Sequence, residues 1–238
     1  MTDQAQPPLR LYPDADRLVT DLAEVIADRL SEAIRTRGVA SFVASGGSTP
    51  GALYDRLCDA DIAWDKVVVT TSDERWVAPG AEGSNEKLVR DHLLQRQACA
   101  AHLVGLRTAH ATPAEAETES HARLNALPHP FDVTLIGMGT DGHTASLYPR
   151  APGLERALDR SRDALTAAVS PVDAVGSNLR LSLTLKALLD SRLIIVLIRG
   201  EEKLAVYRQA LIGTDVSTAP IRALIHQTET PVQVWWAP

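Results

Sequence analysis

The chain has 238 residues, and its 24 Lys and Arg residues against 30 Asp and Glu residues give a formal net charge of −6. A hydrophobic fraction of 45% is enough for a sizeable core, so the composition excludes disorder and favours a single domain over residues 1–238. The acidic balance argues against a nucleic-acid-binding surface. It leaves a small anionic ligand open, because such a ligand responds to the local charges of its site.

Cysteine usage and hydropathy indicate the cellular compartment of the protein. Cys58 and Cys99 are the only cysteines and form no CxxC pair, which suits a reducing cytoplasm. The longest apolar run, at 193–198, is far shorter than the roughly 18 residues that suggest a membrane span. The start, MTDQAQPPLR, has no apolar stretch typical of a signal peptide. We therefore expect a soluble cytoplasmic protein with no membrane contact.

Helical and extended patterns alternate along the chain. The first helix is predicted to begin after Asp14, its N-cap, and to end at Gly38. A strand is predicted at 39–44, followed by a helix over 50–59 that Thr49 caps. Further strands are predicted at 66–71, 131–136, 165–169, 179–183, 193–198 and 232–236, and further helices at 84–97, 113–126, 185–190, 201–211 and 220–225.

This alternation predicts an α/β fold with an open, mostly parallel sheet flanked by helices. In such sheets the ligand crevice lies beyond the carboxyl ends of the strands. Polar or glycine-rich segments follow four of the predicted strands, at 45–49, 72–75, 137–143 and 199–200. We expect these four segments to converge on one site.

The segment SGGSTP at 45–50 joins a strand to a helix. Gly46 and Gly47 allow close backbone approach to a ligand, and Ser48 and Thr49 add two hydroxyl donors, which together suit a phosphate group. A tight turn whose hydroxyls only cap the helix is the alternative. The segment is neither a G-x-S-x-G nucleophile elbow nor a P-loop.

The segment at 137–142 reads G-x-G-x-x-G, as in dinucleotide-binding proteins. The context is wrong for that function, because Pro149, Pro152 and Gly153 interrupt the helix that should follow. The segment is better interpreted as a loop that places Asp141 and His143 in the crevice. Imidazole exchanges protons near neutral pH, so His143 is a candidate general base, although a structural histidine is the alternative. Asp141 and His143 alone do not complete a metal site.

Charged residues near other predicted strand ends are further candidates. Arg75 could stabilise an oxyanion or hold a sugar hydroxyl, and Asp73 could accept hydroxyl donors, with a surface ion pair as the alternative. Arg180 and Lys203 are isolated cations, and from sequence alone solvated charges are the favoured interpretation of both.

Taken together, the segments resemble the 6-phosphogluconolactonase family, of the glucosamine-6-phosphate deaminase and ribose-5-phosphate isomerase type of fold. The resemblance covers nearly the whole chain, and its specific part is DGHTASLYP in conjunction with SDERWV. Tyr148 stands where many relatives have Phe, and Ser182 where Thr is frequent. The matching pieces are SGGSTP (45–50), SDERWV (72–77), SN (84–85), GMGTDGHTASLYP (137–149), RLSLT (180–184), GEEK (200–203) and APIRAL (219–224).

The resemblance implies hydrolysis of 6-phospho-D-glucono-1,5-lactone to 6-phosphogluconate, with no metal and no cofactor. It assigns the general base to His143. For this mechanism we expect Asp141 to orient the imidazole, and Arg75 and N–H groups of the loops to stabilise the oxyanion. Phosphate binding is assigned to Gly46, Gly47, Ser48, Thr49, Arg180 and Lys203. The implied partner is therefore a small sugar-phosphate lactone, and the resemblance gives no oligomeric state.

Two other functions stay open. A glucosamine-6-phosphate deaminase of the same fold carries Glu five residues after the histidine and typically Tyr at the position of Arg75. This chain has Tyr148 and Arg75 there, which favours the lactonase. A non-catalytic sugar-phosphate-binding effector domain is the second alternative, but it would not need a base at His143.

Overall fold

The computed structural model describes residues 6–171 and 177–238, whose strands form two sheets. The strands described are β1 (Leu9–Leu11), β2 (Ala40–Ala44), β3 (Val67–Thr71), β4 (Asp73–Arg75), β5 (His102–Leu103), β6 (Val133–Gly137), β7 (Thr166–Val169), β8 (Arg180–Leu183), β9 (Ile194–Arg199) and β10 (Val232–Ala237). The α-helices described are α1 (Ala15–Arg37), α2 (Gly51–Leu57), α3 (Asn85–Leu88), α4 (Pro113–Asn125), α5 (Leu154–Leu158), α6 (Leu185–Leu189), α7 (Glu201–Ile212) and α8 (Arg222–Ile225).

The main sheet has seven parallel strands in the order β1-β10-β9-β6-β2-β3-β5. Both of its faces are covered, as the continuous apolar run of β9 predicts. Ile194 and Val196 of this strand belong to one buried cluster, while Ile195 and Leu197 belong to the cluster on the other face. The predicted open, mostly parallel α/β sheet is confirmed.

The strand order reverses beside β2. From β2 the chain moves outward to β3 and β5, and it then returns to place β6 on the opposite side of β2, where Phe42 pairs with Val133. Loops that follow β2 and β6 therefore leave the sheet in opposite directions and open a crevice between them. Such a switch point is where α/β sheets bind ligands.

The second sheet is small and antiparallel, in the order β4-β8-β7. The predicted strands at 165–169 and 179–183 form, but they belong to this sheet and not to the main one. The sequence between them is too short and irregular for the helical crossover that parallel neighbours require, so antiparallel pairing is the accessible arrangement. This sheet brings β8 next to the segment that follows β3.

The predicted ends of α1 are confirmed. The Asp14 carboxylate accepts a hydrogen bond from the backbone N–H of Arg17 (2.8 Å), and Gly38 closes the helix with a φ of 80°. At α2 the predicted cap is wrong, because the residue preceding the first helical position is Pro50 and not Thr49. Thr49 is thereby left in the loop before the helix. Within the described ranges, no helix is long and apolar enough to cross a membrane.

The predicted helix at 84–97 is shorter than expected. Four residues of α3 lead into a wide π turn at Val89–Leu93, and a separate 3-10 turn covers Arg96–Ala100. Gln95 between the two turns is extended, with φ −117° and ψ 165°, and this ends the continuity. Strands β1, β4 and β5 were not predicted, since strands of two or three residues carry no alternation to detect.

Candidate active site

A cavity of about 180 Å³ opens at the carboxyl ends of β2, β6 and β9. The expected segment at 199–200 does not line it; Leu197, at the end of β9, and Lys203, in the first turn of α7, do. Asp141 is also outside the lining and lies behind His143. The other nine predicted site residues all line the cavity: Gly46, Gly47, Ser48, Thr49, Asp73, Arg75, His143, Arg180 and Lys203.

His143 and Asp141 form a hydrogen-bonded pair. Nδ1 of His143 lies 2.6 Å from Oδ1 of Asp141, and the same oxygen accepts the backbone N–H of His143 (3.0 Å). An ionised carboxylate can only accept, so Nδ1 carries the proton and Nε2 of the neutral ring is an acceptor. Among the described residues none bonds to Nε2, and 27% of the His143 side chain is exposed. This nitrogen is therefore available to a ligand in the cavity.

The carboxyl of Asp141 is held in its charged form. Its partial burial acts to raise the pKa, but the hydrogen bonds from His143 and the electrostatic attraction of that residue outweigh this effect and leave the pKa below its usual value. A charged acceptor keeps the imidazole in one tautomer and stabilises the imidazolium that forms when Nε2 takes up a proton.

The loop after β6 turns tightly to bring this pair into the crevice. The N–H of Gly139 donates to the carbonyl of His143 (2.9 Å), and the hydroxyl of Thr144 donates to the carbonyl of Gly137 (2.9 Å). A Cβ at position 139 would overlap the imidazole and the Asp141 carboxylate, so only glycine fits there. The next helix after this loop is α5, which agrees with the interpretation of the segment as a site loop.

Two arginines lie side by side at the cavity wall. Antiparallel pairing of β4 with β8 sets Arg75 directly opposite Arg180. Arg180 is only 2% exposed, so the interpretation of this residue as a solvated charge is wrong. Both side chains line the cavity, where each attracts a bound anion.

Arg75 is oriented by the turn that precedes α3. Its Nη1 atom donates to the carbonyl of Gly83 (2.6 Å) and to Oδ1 of Asn85 (3.1 Å). No ion pair involving Arg75 occurs among the residues that the structure describes, so the surface ion pair that sequence left open is wrong. The guanidinium is held by neutral groups and keeps its charge for the cavity.

Lys203 contributes a third cation from the first turn of α7. Its side chain is half-buried, and this burial lowers the pKa of the ammonium group, while the nearby charge of Glu202 acts in the opposite direction. A bound anion would favour the charged form. The arrangement of Lys203, Arg75 and Arg180 gives the cavity a positive character although the whole chain is acidic.

Asp73 is placed in the cavity wall, but its carboxylate is already occupied. The carboxylate accepts hydrogen bonds from the hydroxyls of Ser72 (3.0 Å) and Ser146 (2.5 Å) and from the side-chain amide of Asn85 (3.2 Å). Only 5% of the residue is exposed. These contacts tie the start of β4 to the loop after β6 and to the first residue of α3, so the carboxylate of Asp73 has a structural role.

Glu74 holds the backbone at the start of α3, and this role was missed by sequence reasoning. Its carboxylate accepts the backbone N–H groups of Asn85 (2.7 Å), Glu86 (2.8 Å) and Arg75 (2.9 Å). Burial raises the pKa of Glu74 to about 7, the three N–H groups act to lower it, and the charge of Asp73 adds to the rise. The carboxylate thereby fixes the backbone of Arg75 and Asn85.

Two further cavity residues were also missed. Asn85 lines the cavity between Asp73 and Arg75, and Tyr148 lies with its ring stacked on the imidazole of His143. Both stand in segments that the sequence singled out, but no pattern of spacing showed that their side chains face inward. One sequence signal could have indicated Asn85: it directly follows Ser84, the N-cap of α3.

Together these features define an α/β protein whose switch-point cavity presents an imidazole–carboxylate pair and three cations to a small anionic ligand. Within the part of the chain that the structure describes, no three His, Cys, Asp or Glu side chains cluster in a way that could hold a metal ion. Proteins of this class bind an anionic substrate at the carboxyl ends of the strands of a parallel sheet.

Comparisons with known proteins agree with this class. The family model described as glucosamine-6-phosphate isomerases/6-phosphogluconolactonase matches residues 13–236. A 6-phosphogluconolactonase of Mesorhizobium japonicum is 40% identical, over 95% of this chain and 94% of the relative. One of Rhizobium meliloti is 38% identical, over 97% and 98%. The crystal structure of a 6-phosphogluconolactonase from Shewanella baltica has a TM-score of 0.95 and 42% identity, covering 99% of both chains.

The chain belongs to the glucosamine-6-phosphate isomerase/6-phosphogluconolactonase family, because the family model matches nearly its whole length. The family and the fold expected from the resemblance are confirmed by these matches.

Proposed function

We propose that this chain is a 6-phosphogluconolactonase, which hydrolyses 6-phospho-D-glucono-1,5-lactone to 6-phosphogluconate. The observation that carries the proposal is the pairing of His143 with Asp141 in a cavity that also holds three cations. The relatives named above, which share at least 38% identity over nearly the full length, support the same activity.

Substrate binding depends on two of the cations that line the cavity. Arg180 and Lys203 bind the phosphate together with the loop that contains Ser48 and Thr49. Because the phosphate does not react, its binding energy serves to orient the lactone carbonyl toward His143. Alanine at Arg180 or Lys203 should therefore raise KM, whereas a cation without a role in binding would leave KM unchanged.

The chemistry is acyl transfer to water. Nε2 of His143 takes a proton from a water molecule as its oxygen attacks the lactone carbonyl, and Arg75 stabilises the oxyanion that forms. The bond between the carbonyl carbon and the ring oxygen then breaks, and the imidazolium returns the proton to that oxygen. Asp141 stabilises the imidazolium in between. The overall change is the addition of one water molecule across the ester bond.

Deamination of glucosamine 6-phosphate is the alternative within the same family. Tyr148 occupies the position where the resemblance expects Glu in a deaminase, and a phenol does not supply a carboxylate for ring opening. Incubation with glucosamine 6-phosphate should release no ammonia. Ammonia release at a rate above that of lactone hydrolysis would reverse the assignment.

The test of the proposal is a His143→Asn variant assayed with freshly generated lactone, after subtraction of spontaneous hydrolysis. We expect a loss in kcat of about a hundredfold or more, with binding of 6-phosphogluconate retained. His102→Asn is the matched control, because His102 is exposed on the edge strand β5. Binding without turnover in the unchanged protein would instead support an effector-binding domain.

We also propose that the protein acts in the cytoplasm as one domain over residues 1–238, on a small sugar phosphate and without nucleic acid. The two cysteines support a reducing compartment, since Cys58 is buried and free and Cys99 is exposed and free. The small sheet supports the single domain, because its Arg180 lines the same cavity as the loops of the main sheet.

A further inference from the structure

Tyr148 makes the closest aromatic contact of the cavity. Its ring centroid lies 4.0 Å from that of the His143 imidazole, and the two planes are inclined by only 20°. The ring is half-buried and lines the cavity. None of the steps proposed above uses Tyr148, so this contact has no function in them.

The imidazole needs a second restraint besides Asp141. A single hydrogen bond at Nδ1 fixes one edge of the ring but allows the plane to tilt about the line from Nδ1 to the carboxylate. Asp141 itself has a side chain that is 46% exposed and belongs to the same loop. A nearly parallel ring against one face of the imidazole removes the tilt.

Tyr148 is well suited to this task because its backbone is held firmly. The N–H of Tyr148 donates to the carbonyl of Ser146 (3.1 Å), and the carbonyl of Tyr148 accepts from Ala151 (3.2 Å). Ser146 is anchored to two neighbouring strands of the small sheet, since its hydroxyl donates to Asp73 of β4 (2.5 Å) and its N–H donates to the hydroxyl of Ser182 of β8 (3.2 Å). Tyr148 therefore belongs to the part of this loop that hydrogen bonds tie to the small sheet.

The same ring also contacts a cation of the cavity. The guanidinium carbon of Arg180 lies 5.5 Å from the centroid of Tyr148, within the range of a cation–π interaction. Tyr148 thus touches both the candidate base and a candidate phosphate ligand.

We propose that Tyr148 is a positioning residue, whose aromatic face holds the imidazole of His143 in the plane in which Nε2 meets the attacking water. The inference rests on the proposed function for its kinetic consequence, but the placement of the imidazole is independent of the reaction. The aromatic face and not the hydroxyl carries the role.

The kinetic test compares Tyr148→Leu with Tyr148→Phe. We expect Tyr148→Leu to lower kcat between about ten- and a hundredfold while KM changes little, because the loss concerns orientation and not binding. Tyr148→Phe, which keeps the ring, should retain far more of kcat. Tyr12→Leu is the matched control, since Tyr12 is stacked on Trp235 (5.3 Å), outside the residues that line the cavity. Thermal unfolding of each variant identifies any that does not fold, and Tyr148→Met then replaces Tyr148→Leu.

A second measurement does not depend on activity. The stacked ring shifts the proton NMR resonance of His143 Cε1–H, which is assigned by its disappearance in His143→Asn. Tyr148→Leu should move this resonance, whereas Tyr148→Phe and Tyr12→Leu should leave it in place. The proposal is overturned if Tyr148→Leu leaves the resonance and kcat unchanged, or if KM rises while kcat is kept. Absence of lactone hydrolysis in the unchanged protein would refute the proposed function, and the resonance would still test the placement.

Discussion

The side-chain amide of Asn85 occupies the space that a Cβ at position 46 would need. Asn85 cannot move away without loss, because its nitrogen donates to the carbonyl of Asp73 (2.9 Å) and its oxygen accepts from Arg75 (3.1 Å). The loop after β2 and the turn before α3 therefore meet at a contact that only glycine permits. Through this contact, a residue of the candidate phosphate loop is coupled to the candidate oxyanion donor.

Gly46→Ala should consequently lower kcat/KM for lactone hydrolysis by about ten- to a hundredfold, because the methyl group displaces Asn85 and with it the guanidinium of Arg75. Steady-state kinetics with freshly generated lactone measure the effect. Gly80→Ala is the matched control, since a Cβ at Gly80 meets nothing within 4 Å. Equal kinetics for the two variants would show that the contact does not reach the reacting groups.

Asp141→Asn tests the pair with His143. The amide keeps the shape of the carboxylate but no longer stabilises an imidazolium, so kcat should fall by about a hundredfold with KM nearly unchanged. In the background of His143→Asn, the same change should have almost no further effect, because both residues act in one step. A full additional loss in that background would assign Asp141 a role separate from His143.

Most of the fold followed from local patterns in the sequence. Apolar periodicity and the caps at Asp14 and Gly38 predicted α1 correctly, and the run at 193–198 predicted a strand covered on both faces. The small sheet was not predictable, because the pairing of β4 with β8 depends on residues about a hundred positions apart, and no local signal specifies such a register.

The candidate site likewise contains residues that the sequence predicted and residues that it did not. Glycine-rich loops and His143 stand out in the sequence because their residue types are unusual at strand ends. Glu74 and Asn85 do not, since their importance comes from what faces them: three backbone N–H groups for Glu74, and a glycine of another loop for Asn85. Burial of Arg180 likewise results from tertiary packing, which residue type alone does not predict.

The carboxyl of Glu74 should make stability depend on pH. Its pKa is raised to about 7 by burial, so between about pH 4.5 and pH 7 the folded state binds more protons than the unfolded state, and the free energy of unfolding falls as the pH rises. Relative to Glu74→Gln, which carries no ionisable group there, the protein should lose on the order of 3 kcal/mol across this interval.

Urea unfolding of both proteins at several pH values measures this difference. The backbone N–H groups of Asn85 and Glu86 stabilise the charged carboxylate, so they act against the rise of its pKa. A difference between the two proteins that stays constant from about pH 5 to pH 8 would mean that these donors outweigh the burial.

Lys203 should make ligand binding depend on pH at the alkaline side. Because burial lowers the pKa of its ammonium group, Lys203 loses its charge at a lower pH than an ordinary lysine, and the affinity for 6-phosphogluconate should fall there. Lys203→Arg should reduce this fall, since a guanidinium stays charged throughout. Calorimetric titrations between about pH 7 and pH 10 measure the effect.

Lys186→Arg is the control for this experiment, because Lys186 forms an exposed ion pair with Asp163 (2.8 Å) away from the cavity. It should bind the product with the pH dependence of the unchanged protein. An identical alkaline fall in Lys203→Arg would assign the titration to another group.

The two borders of the main sheet are formed by strands of only three and two residues, β1 and β5, while the strands between them have five or six. A border this short offers few unpaired N–H and C=O groups to a strand of another molecule. Long edge strands would favour edge-to-edge aggregation, so the short edge strands protect this sheet against it at high protein concentration.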